Sequence, residues 1–280
     1  PVWDTFPGAW YTMAADVVMP NGRSLQVATY HHYKDQWANS FDLTYEDPEG
    51  NTKLCHQTTF GMSERLLGAV VGIHGDDKGL ILPPSIAPIQ AVVLPIAAHA
   101  DSKVEPAAKA LAERLSASGI RVELDTRDVR PGVKHYDWEI KGVPIRIELG
   151  PRDLSAGQLV LTMRTGSKAE ISIDKAEKYV IESLEKLAEE LRQRAKSLVS
   201  DKVKTFPFDN LDYDTSQESS IESGFVYEIA FEGNDSDAEF LEKKTGLTLL
   251  GECDDEFSIE RKCIVTGEST FKRCFMARMY

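Results

Sequence analysis

Residues 57–84, QTTFGMSERLLGAVVGIHGDDKGLILPP, decide how the rest of the chain is read. Gln57, Thr58 and Thr59 make a short polar strand that runs into Gly61. Ser63 then stands where a helix N-cap belongs, with Glu64 and Arg65 in the first turn. Leu66, Leu67, Val70 and Val71 recur at helical spacing, which predicts a buried helix ended by Gly75, and His74-Gly75-Asp76-Asp77 turns the chain into Leu80-Ile81-Leu82. Such a helix would fix Arg65 beside a glycine-lined strand end. A guanidinium held there grips phosphate oxygens through two parallel N–H bonds, a geometry lysine cannot copy. On periodicity alone, a surface arginine balanced by Glu64 fits the same residues.

Upstream, Tyr11-Thr12-Met13 and Val17-Val18-Met19 lead through Pro20-Asn21-Gly22 into Ser24–Thr29, two antiparallel strands joined by a tight turn. The second strand delivers Gln26, Thr29 and His31 at its end. A regular strand would show Gln26 and Thr29 on opposite faces, so a bulge or a strand end is needed to bring both to one pocket. His31, beside His32 and Tyr33, fits a packed histidine as well as a site residue. Tyr33–Phe41 reads as helical, and Phe41–Glu46 with Thr52–Thr59 as a strand pair around Asp47-Pro48-Glu49-Gly50. The opening PVWDTFPGAWYT reads as the middle of a sheet.

Beyond Pro84 the composition changes. Ile89–Ile96 is a continuous apolar run of buried-strand length. Ser102 with Glu105 predicts a capping box, and Val104, Ala108, Leu111 and Leu115 the inner face of a helix that Gly119 ends. Ile120–Leu124, Val143–Leu149, Leu159–Met163 and Ala169–Ile173 read as strands and Val133–Lys141 as a helix, so the segment is expected to form a compact α/β domain with a mixed five-stranded sheet. Asp174 with Glu177 predicts the cap of a long helix whose stripe is Ile181, Leu184, Leu187, Leu191, Ala195 and Leu198, a packed connector or a short coiled coil. Thr205–Ser223 reads as a linker. Gly224–Tyr280 reads as a small α/β module, with strands over Phe225–Phe231, Thr248–Leu250 and Arg273–Arg278 and a helix over Asp237–Lys244.

With 280 residues, 42% hydrophobic and 28% charged, two or three domains are expected. No apolar run approaches the roughly 20 residues that span a bilayer, and the amino terminus lacks a basic-then-apolar signal pattern. Cys55, Cys253, Cys263 and Cys274 are too few and too scattered for a disulfide framework, so a reducing cytoplasm is expected. The net charge of −13 argues against DNA or other nucleic acid held non-specifically over the whole surface. A local site remains open, because residues 127–168 carry eight Lys and Arg against five Asp and Glu, +3 on a chain whose remainder is −16.

Gly61-Met62-Ser63-Glu64-Arg65 followed by HGDDKGLILPPSIAPIQ resembles motif 3, and the junction after it, of prolyl-tRNA synthetases of the archaeal and eukaryotic type, which are class II enzymes. LQVATYH, residues 25–31, is similar to the LQ-x-G-T-x-H segment of the same family. Gly132–Glu139 and Val143–Asp153 resemble its anticodon-binding domain. The similarity runs from Pro7 to about Lys204 and more weakly to Tyr280. It implies an antiparallel-sheet remainder of a class II catalytic domain over 1–86, an anticodon-binding domain over 87–200 and a carboxy-terminal module over 201–280. The family's motifs 1 and 2 would then lie upstream, making this the carboxy-terminal portion of a longer enzyme.

The resemblance further implies that Gln26, Thr29, Ser63 and Arg65 hold ATP, with Arg65 the catalytic group, and that His31, Phe60 and Ser63 enclose L-proline. Ala28 stands for the usual glycine, Tyr30 for a small residue, Phe60 for tryptophan and Tyr33-Lys34-Asp35 for Leu-Gly-Gln. These departures bear on the amino-acid pocket and leave the ATP side intact. Glu139, Arg146, Asp153 and Lys168 are implied anticodon contacts: the carboxylates suit the amino and imino edge of guanine, the cations its O6 and N7 or a phosphate. From the residues alone, a salt-bridged sheet end fits as well. Many family members hold zinc on two cysteine pairs in the last module. Here Thr266 stands where the second cysteine of a pair would, so no zinc is expected, and Cys253, Cys263 and Cys274 read as small apolar residues. The implied activity is ligation of proline to tRNA(Pro) by a cytoplasmic homodimer using ATP and Mg2+, with no membrane and no DNA as partner. The alternatives are a threonyl or glycyl enzyme of the same subclass, or a non-catalytic tRNA-binding protein should no upstream half exist.

Overall fold

Pro20-Asn21-Gly22 folds as the tight turn its residues call for, with Gly22 at φ +74° and Met19 N–H donating to Arg23 O at 2.9 Å. In the computed structural model, which describes residues 5–207 and 221–280, this turn joins β1 (Tyr11–Val18) to β2 (Ser24–Lys34). Thr5–Trp10 are irregular, so the sheet starts at Tyr11 and not within the opening residues, of which 1–4 lie outside the described residues. Next come α1 (Gln36–Phe41), the small hairpin of β3 (Thr44–Glu46) and β4 (Thr52–Leu54), then β5 (Gln57–Met62) and α2 (Arg65–His74). The helix expected from Tyr33 is shortened because β2 keeps pairing with β5 as far as Lys34, past a register shift at Tyr33. The three long strands form one antiparallel sheet in the order β1-β2-β5.

Helix α2 departs from its expected burial. Only Ala69 is buried, while Leu66, Leu67 and Val71 are 39%, 63% and 47% exposed. The inward stripe is Ala69, Val70 and Ile73, a one-turn repeat, so the pairs at 66/67 and 70/71 spread around the helix instead of forming one face.

The chain divides into two compact units, Pro1–Ala69 with Leu198–Tyr280, and Val70–Ser197. The second contains β6 (Ala91–Pro95), α3 (Val104–Ala117), β7 (Val122–Leu124), α4 (Pro131–Ile140), β8 (Ile145–Leu149), α5 (Pro151–Ser155), β9 (Gln158–Met163), β10 (Lys168–Ser172) and most of α6 (Ala176–Lys202). Its sheet is five-stranded and mixed, in the order β10-β9-β8-β6-β7: β6 runs parallel to β7 and β8, and β9 and β10 are antiparallel. Ile145, Ile147 and Leu149 pack one sheet face against α3 and α6 through Ala108, Leu111, Leu115, Leu184, Leu187 and Leu191. Val92 and Leu94 pack the other face against Trp138 of α4.

Two expected caps and one stripe are replaced. Helix α3 starts at Val104 with the Asp101 carboxylate accepting Lys103 N–H at 2.9 Å, so Ser102 is not its cap. Glu177 is drawn to Arg114 (2.6 and 2.8 Å) rather than into a box with Asp174, and a 3₁₀ turn over Ile173–Lys175 leads into α6. The buried stripe of α6 is Val180, Leu184, Leu187 and Leu191, with Ile181 39% exposed.

In the first unit, β11 (Val203–Thr205), β12 (Val226–Ala230), α7 (Asp235–Thr245), β13 (Thr248–Glu252), β14 (Arg261–Lys262), β15 (Ser269–Thr270) and β16 (Arg273–Ala277) build the last module around a sheet ordered β11-β12-β16-β13. Val203–Thr205 is a strand, and residues 208–220 of the expected linker lie outside the described residues. Asn234 caps α7 with Asp237 closing a capping box. The chain end returns to β2, where Tyr280 N–H donates to Ser24 O at 3.2 Å and Ser24 N–H to Arg278 O at 2.9 Å. Asn21 Nδ2 donates to the Tyr280 hydroxyl at 2.8 Å.

Helix α4 is pinned to its sheet by a buried charge. The Asp125 carboxylate, 1% exposed, accepts from Trp138 Nε1 at 2.7 Å and from Arg127 at 2.8 and 2.9 Å, with Lys134 Nζ 3.8 Å away. Burial works to raise its pKa, but the Arg127 and Trp138 bonds and the Lys134 charge together hold it below the usual carboxylate range. Since the folded-state pKa is depressed, this stability is present above about pH 4 and is lost as pH falls below it. Asp125→Ala leaves Lys134 buried without its counter-charge and is expected to cost about 3–5 kcal/mol in urea unfolding at neutral pH. The gap from the wild type should narrow as the acid limit is approached.

Candidate functional site

Two surfaces gather the polar residues that the sequence singled out. On the sheet of the first unit, Asp16 pairs with Gln26 and Ala15 with Ala28, leaving Val27 as an extra residue in β2. That bulge resets the alternation, so Gln26 joins Thr29 and His31 on one face. Thr29 pairs with Gly61 and His31 with Thr59 and Thr12, which extends the same face across all three strands. A Cβ added at Gly61 would stand 3.1 Å from Thr29 Oγ1, so glycine keeps that hydroxyl accessible. His31 Nδ1 and Thr12 Oγ1 are 2.9 Å apart, and Thr12 Oγ1 also accepts Phe6 N–H at 3.2 Å. With the hydroxyl donating, the ring carries its proton on Nε2 and offers a donor outward. Phe6, its ring 4.8 Å from the His31 ring, walls this end. Tyr33, Trp37 and Phe41, with His56–Thr59, line an open cavity of about 530 Å³ at the Thr59 end of β5.

Ser63 follows Gly61 at the strand end, its N–H donating to Val27 O at 3.3 Å and its Oγ accepting Arg65 N–H at 3.4 Å, the N-cap position that its sequence context predicts. Arg65 is exposed and makes no salt bridge with the described residues. Its position in the first turn of α2 is as expected, but the buried helix thought to hold it rigid is not there. Phe60 does not join the group. It pairs with Tyr30, their rings 4.7 Å apart, on the face opposite His31, and is 78% exposed.

The second surface lies in the other unit. Arg146, Thr162 and Lys168 are direct cross-strand partners on β8, β9 and β10 and form one row on the sheet face that α4 covers only in part. Lys78, Trp138, Glu139, Arg146, Thr162 and Arg164 line a cavity of about 180 Å³ there. Lys78 Nζ is 3.5 Å from Glu139 Oε1, and Arg146 Nε donates to Glu148 at 3.0 Å. His135 Nε2 lies 3.4 Å from Glu148, and burial, with Arg146 beside it, lowers its pKa. The cavity walls are held by Arg164, whose side chain is 2% exposed. It donates to both Asp76 oxygens at 2.6 and 2.9 Å and through Nε to Glu139 O at 3.0 Å. Those Arg164 bonds bring the Asp76 carboxyl down to about 2. Leu80 N–H to Ile140 O (3.1 Å) and Leu82 N–H to Gly142 O (3.3 Å) stitch the same loop to the end of α4.

Glu139, Arg146 and Lys168 therefore share one region, and Asp153 does not. Its carboxylate accepts Gly150 N–H at 2.8 Å and caps α5. Of the basic residues counted over 127–168, Arg127, Lys134, Arg146 and Arg164 have carboxylate partners, so the positive patch is weaker than its formal charge. Lys78, Thr162 and Arg164 were not singled out from the sequence, since partners 61–88 residues apart leave no spacing to read; that span is set by Lys78–Glu139 and Asp76–Arg164.

In the last module, Cys263 is fully buried and accepts Glu232 N–H at 3.3 Å, and Glu232 is bonded by Thr270 and paired with Lys272, which also meets Glu252. No group of three or more His, Cys, Asp or Glu that could hold a metal gathers among the described residues, and no helix among them is long and apolar enough to cross a membrane.

Residues 90–183 match the family model of the anticodon binding domain. A proline–tRNA ligase of Thermococcus kodakarensis is 48% identical over 206 residues, 73% of this chain and 43% of that protein. One from Methanosarcina mazei is 42% identical over 283 residues, covering 100% of this chain and 58% of that protein. Among solved structures, Giardia lamblia prolyl-tRNA synthetase in complex with prolyl-adenylate superposes with a TM-score of 0.87 at 30% identity, over 99% of this chain and 60% of that one. The chain thus spans between 43% and 60% of the lengths of these relatives.

The Asp76–Arg164 clamp makes a pH signature. A depressed folded-state pKa gives stability above about pH 4 that fades as pH falls toward about 2, and Asp76→Asn should lack that acid-side loss. Urea midpoints of the two proteins followed between these pH values are expected to converge.

Proposed function

From these matches the chain belongs to the proline–tRNA ligase family over the part of its members that it spans, and on that premise we propose that it serves ATP-dependent ligation of L-proline to tRNA(Pro). The support internal to this chain is the Val27 bulge, which places Gln26, Thr29 and His31 on one face with Gly61. In this reading the proline carboxylate attacks the α-phosphate of ATP, pyrophosphate leaves, and a ribose hydroxyl at the tRNA 3′ end then takes the prolyl group with release of AMP. Such chemistry rests on alignment and on neutralising phosphate charge, so donors at strand tips and an arginine suffice. Gln26, Thr29 and Ser63 would orient the nucleotide, His31 would offer its Nε2 proton toward the amino acid, and Arg65 would meet phosphate.

Mg2+ belongs to the same proposal as a companion of the ATP phosphates. The described residues gather no carboxylate set to hold it, so no step here is assigned to it. Glu139, Arg146 and Lys168 would read the anticodon, the carboxylate facing a guanine N1–H and N2 amine and the cations its O6, N7 or phosphates. The domain limits 1–86, 87–200 and 201–280, the homodimer and the cytoplasmic setting are parts of this reading. The exposure of Arg65 supports a second one, a tRNA-binding protein without ATP chemistry.

Arg65→Ala is expected to cut proline-dependent ATP–pyrophosphate exchange at least tenfold, about 1.4 kcal/mol, with tRNA binding near normal. Arg146→Ala should do the reverse, weakening tRNA binding by about 1–3 kcal/mol. These exchange assays use the full-length protein, upstream segment included; exchange absent from that wild type, with tRNA binding intact, would favour the second reading.

A further inference from the structure

In the last module, one residue gathers bonds from segments far apart in the chain. Glu232 follows β12, and each of its polar groups is engaged by the hairpin of β14 and β15 or by Lys272 just beyond it. Its N–H donates to Cys263 Sγ at 3.3 Å, and Cys263 Sγ in turn donates to its carbonyl at 3.6 Å. Thr270, only 3% exposed, donates through Oγ1 to Glu232 Oε2 at 2.6 Å, and Lys272 Nζ lies 3.4 Å from Oε1. The Thr270 bond first, and the Lys272 charge with it, lower the Glu232 pKa, so the carboxylate is ionised at neutral pH. Lys272 Nζ also lies 3.6 Å from Glu252 of β13, and Lys272 N–H donates to Thr270 Oγ1 at 3.0 Å. The hairpin is thus tied to the ends of two strands at one point, with Cys263 and Thr270 lying 31 and 38 residues from Glu232.

Joining distant segments at one point is what a structural zinc ion does in a small module, with four deprotonated ligands around it. The donors here do not fit one. Cys263 is the single thiol of its turn, fully buried, and its sulfur is spent on the Glu232 backbone. Thr266, three residues on, offers a hydroxyl that accepts Glu268 N–H at 3.3 Å. Both Glu232 carboxylate oxygens are taken, one by a hydroxyl and one by an ammonium. We propose that Glu232, Thr270 and Lys272 take the place of a metal in this chain, so that a side-chain cation holds the hairpin and the module folds without zinc. Ion pairs exposed to this degree are worth little singly. These have leverage because Ile264 and Val265 of the hairpin are buried in the module core, and Ile264 N–H donates to Ala230 O at 3.0 Å, so holding the hairpin keeps that core closed.

The test uses the 280-residue chain. Metal analysis of the wild type should find no stoichiometric zinc, and its melting temperature should be the same with and without EDTA. Hydrogen exchange over residues 261–272 should quicken about tenfold in Glu232→Ala, the worth of a bond to a charged group, with the sheet of the second unit unchanged. Lys272→Met, which removes only the half-exposed pairs, should quicken the same residues about two- to threefold. The proposal is overturned by stoichiometric zinc, by a melting temperature that EDTA lowers, or by exchange over 261–272 that neither substitution changes. Exchange that quickens equally in both units also overturns it, since the loss would then be general and not that of the hairpin. If Glu232→Ala does not fold, Lys272→Met decides, and exchange like that of the wild type sinks the proposal.

Discussion

Side chains on a β-strand alternate between two faces, and both candidate surfaces of this chain depend on where that alternation is kept and where it is broken. In β2 it is broken at Val27 against β1 and again at Tyr33 against β5, and the first break lets residues 26 and 29 look the same way. Without it Gln26 would share a face with Tyr30 and Phe60, among aromatic rings, and the strand would have no run of polar groups on one side. In β8, β9 and β10 it is kept, so Arg146, Thr162 and Lys168 line up across three strands with no loop to position them. A one-residue slip in either sheet would turn every one of these groups to the other side.

The second sheet has a further constraint. One face is filled by α3 and α6, but the other is only half covered, by α4. A helix that covers half a sheet must be fixed at its edge, and apolar contact through Trp138 does only part of this. The rest is ionic: Asp125 ties Trp138 and Lys134 down on one side, and Arg164 binds the Glu139 carbonyl on the other. Buried charges are costly to desolvate, and networks with nearly every donor matched are the form in which they persist. The rest of that face stays open as a cavity of about 180 Å³ beside the wall so held.

Much of this was legible in the sequence. The continuous apolar run Ile89–Ile96 marked β6, and the 3.6-residue repeat marked the inner face of α3, because burial on a regular element leaves a pattern in the residues. The need for a bulge between Gln26 and Thr29 could be argued from spacing alone. What failed was decided by competition between distant groups. Asp101, not Ser102, accepts the Lys103 N–H ahead of α3, and Glu177 is held by Arg114 from 63 residues away. Asp153, an expected base contact, also turns one carboxylate oxygen to Gly150 N–H, a local bond its spacing did not announce. Ile181 and Leu66 are apolar at helical spacing, yet each stays 39% exposed, and periodicity cannot tell which of two adjacent stripes the protein will bury. The Asp76–Arg164 clamp joins residues 88 apart and has no local signature at all.

The two surfaces differ in how far they are prepared for a ligand. The cavity beside α4 is framed before anything binds: Arg164 is spent on the frame and Glu139 is fixed at its carbonyl. Little side-chain freedom is lost when it is filled, which favours discrimination between ligands of similar shape. The other face holds Gln26, Thr29 and His31 on strands, but its guanidinium at position 65 is exposed in the first turn of a helix that buries only Ala69. Ordering that side chain costs on the order of 2 kcal/mol of rotamer entropy, which a charged phosphate can offset and a neutral ligand cannot. An arginine so placed distinguishes occupants by charge, whereas the cavity distinguishes them by the pattern of donors and acceptors.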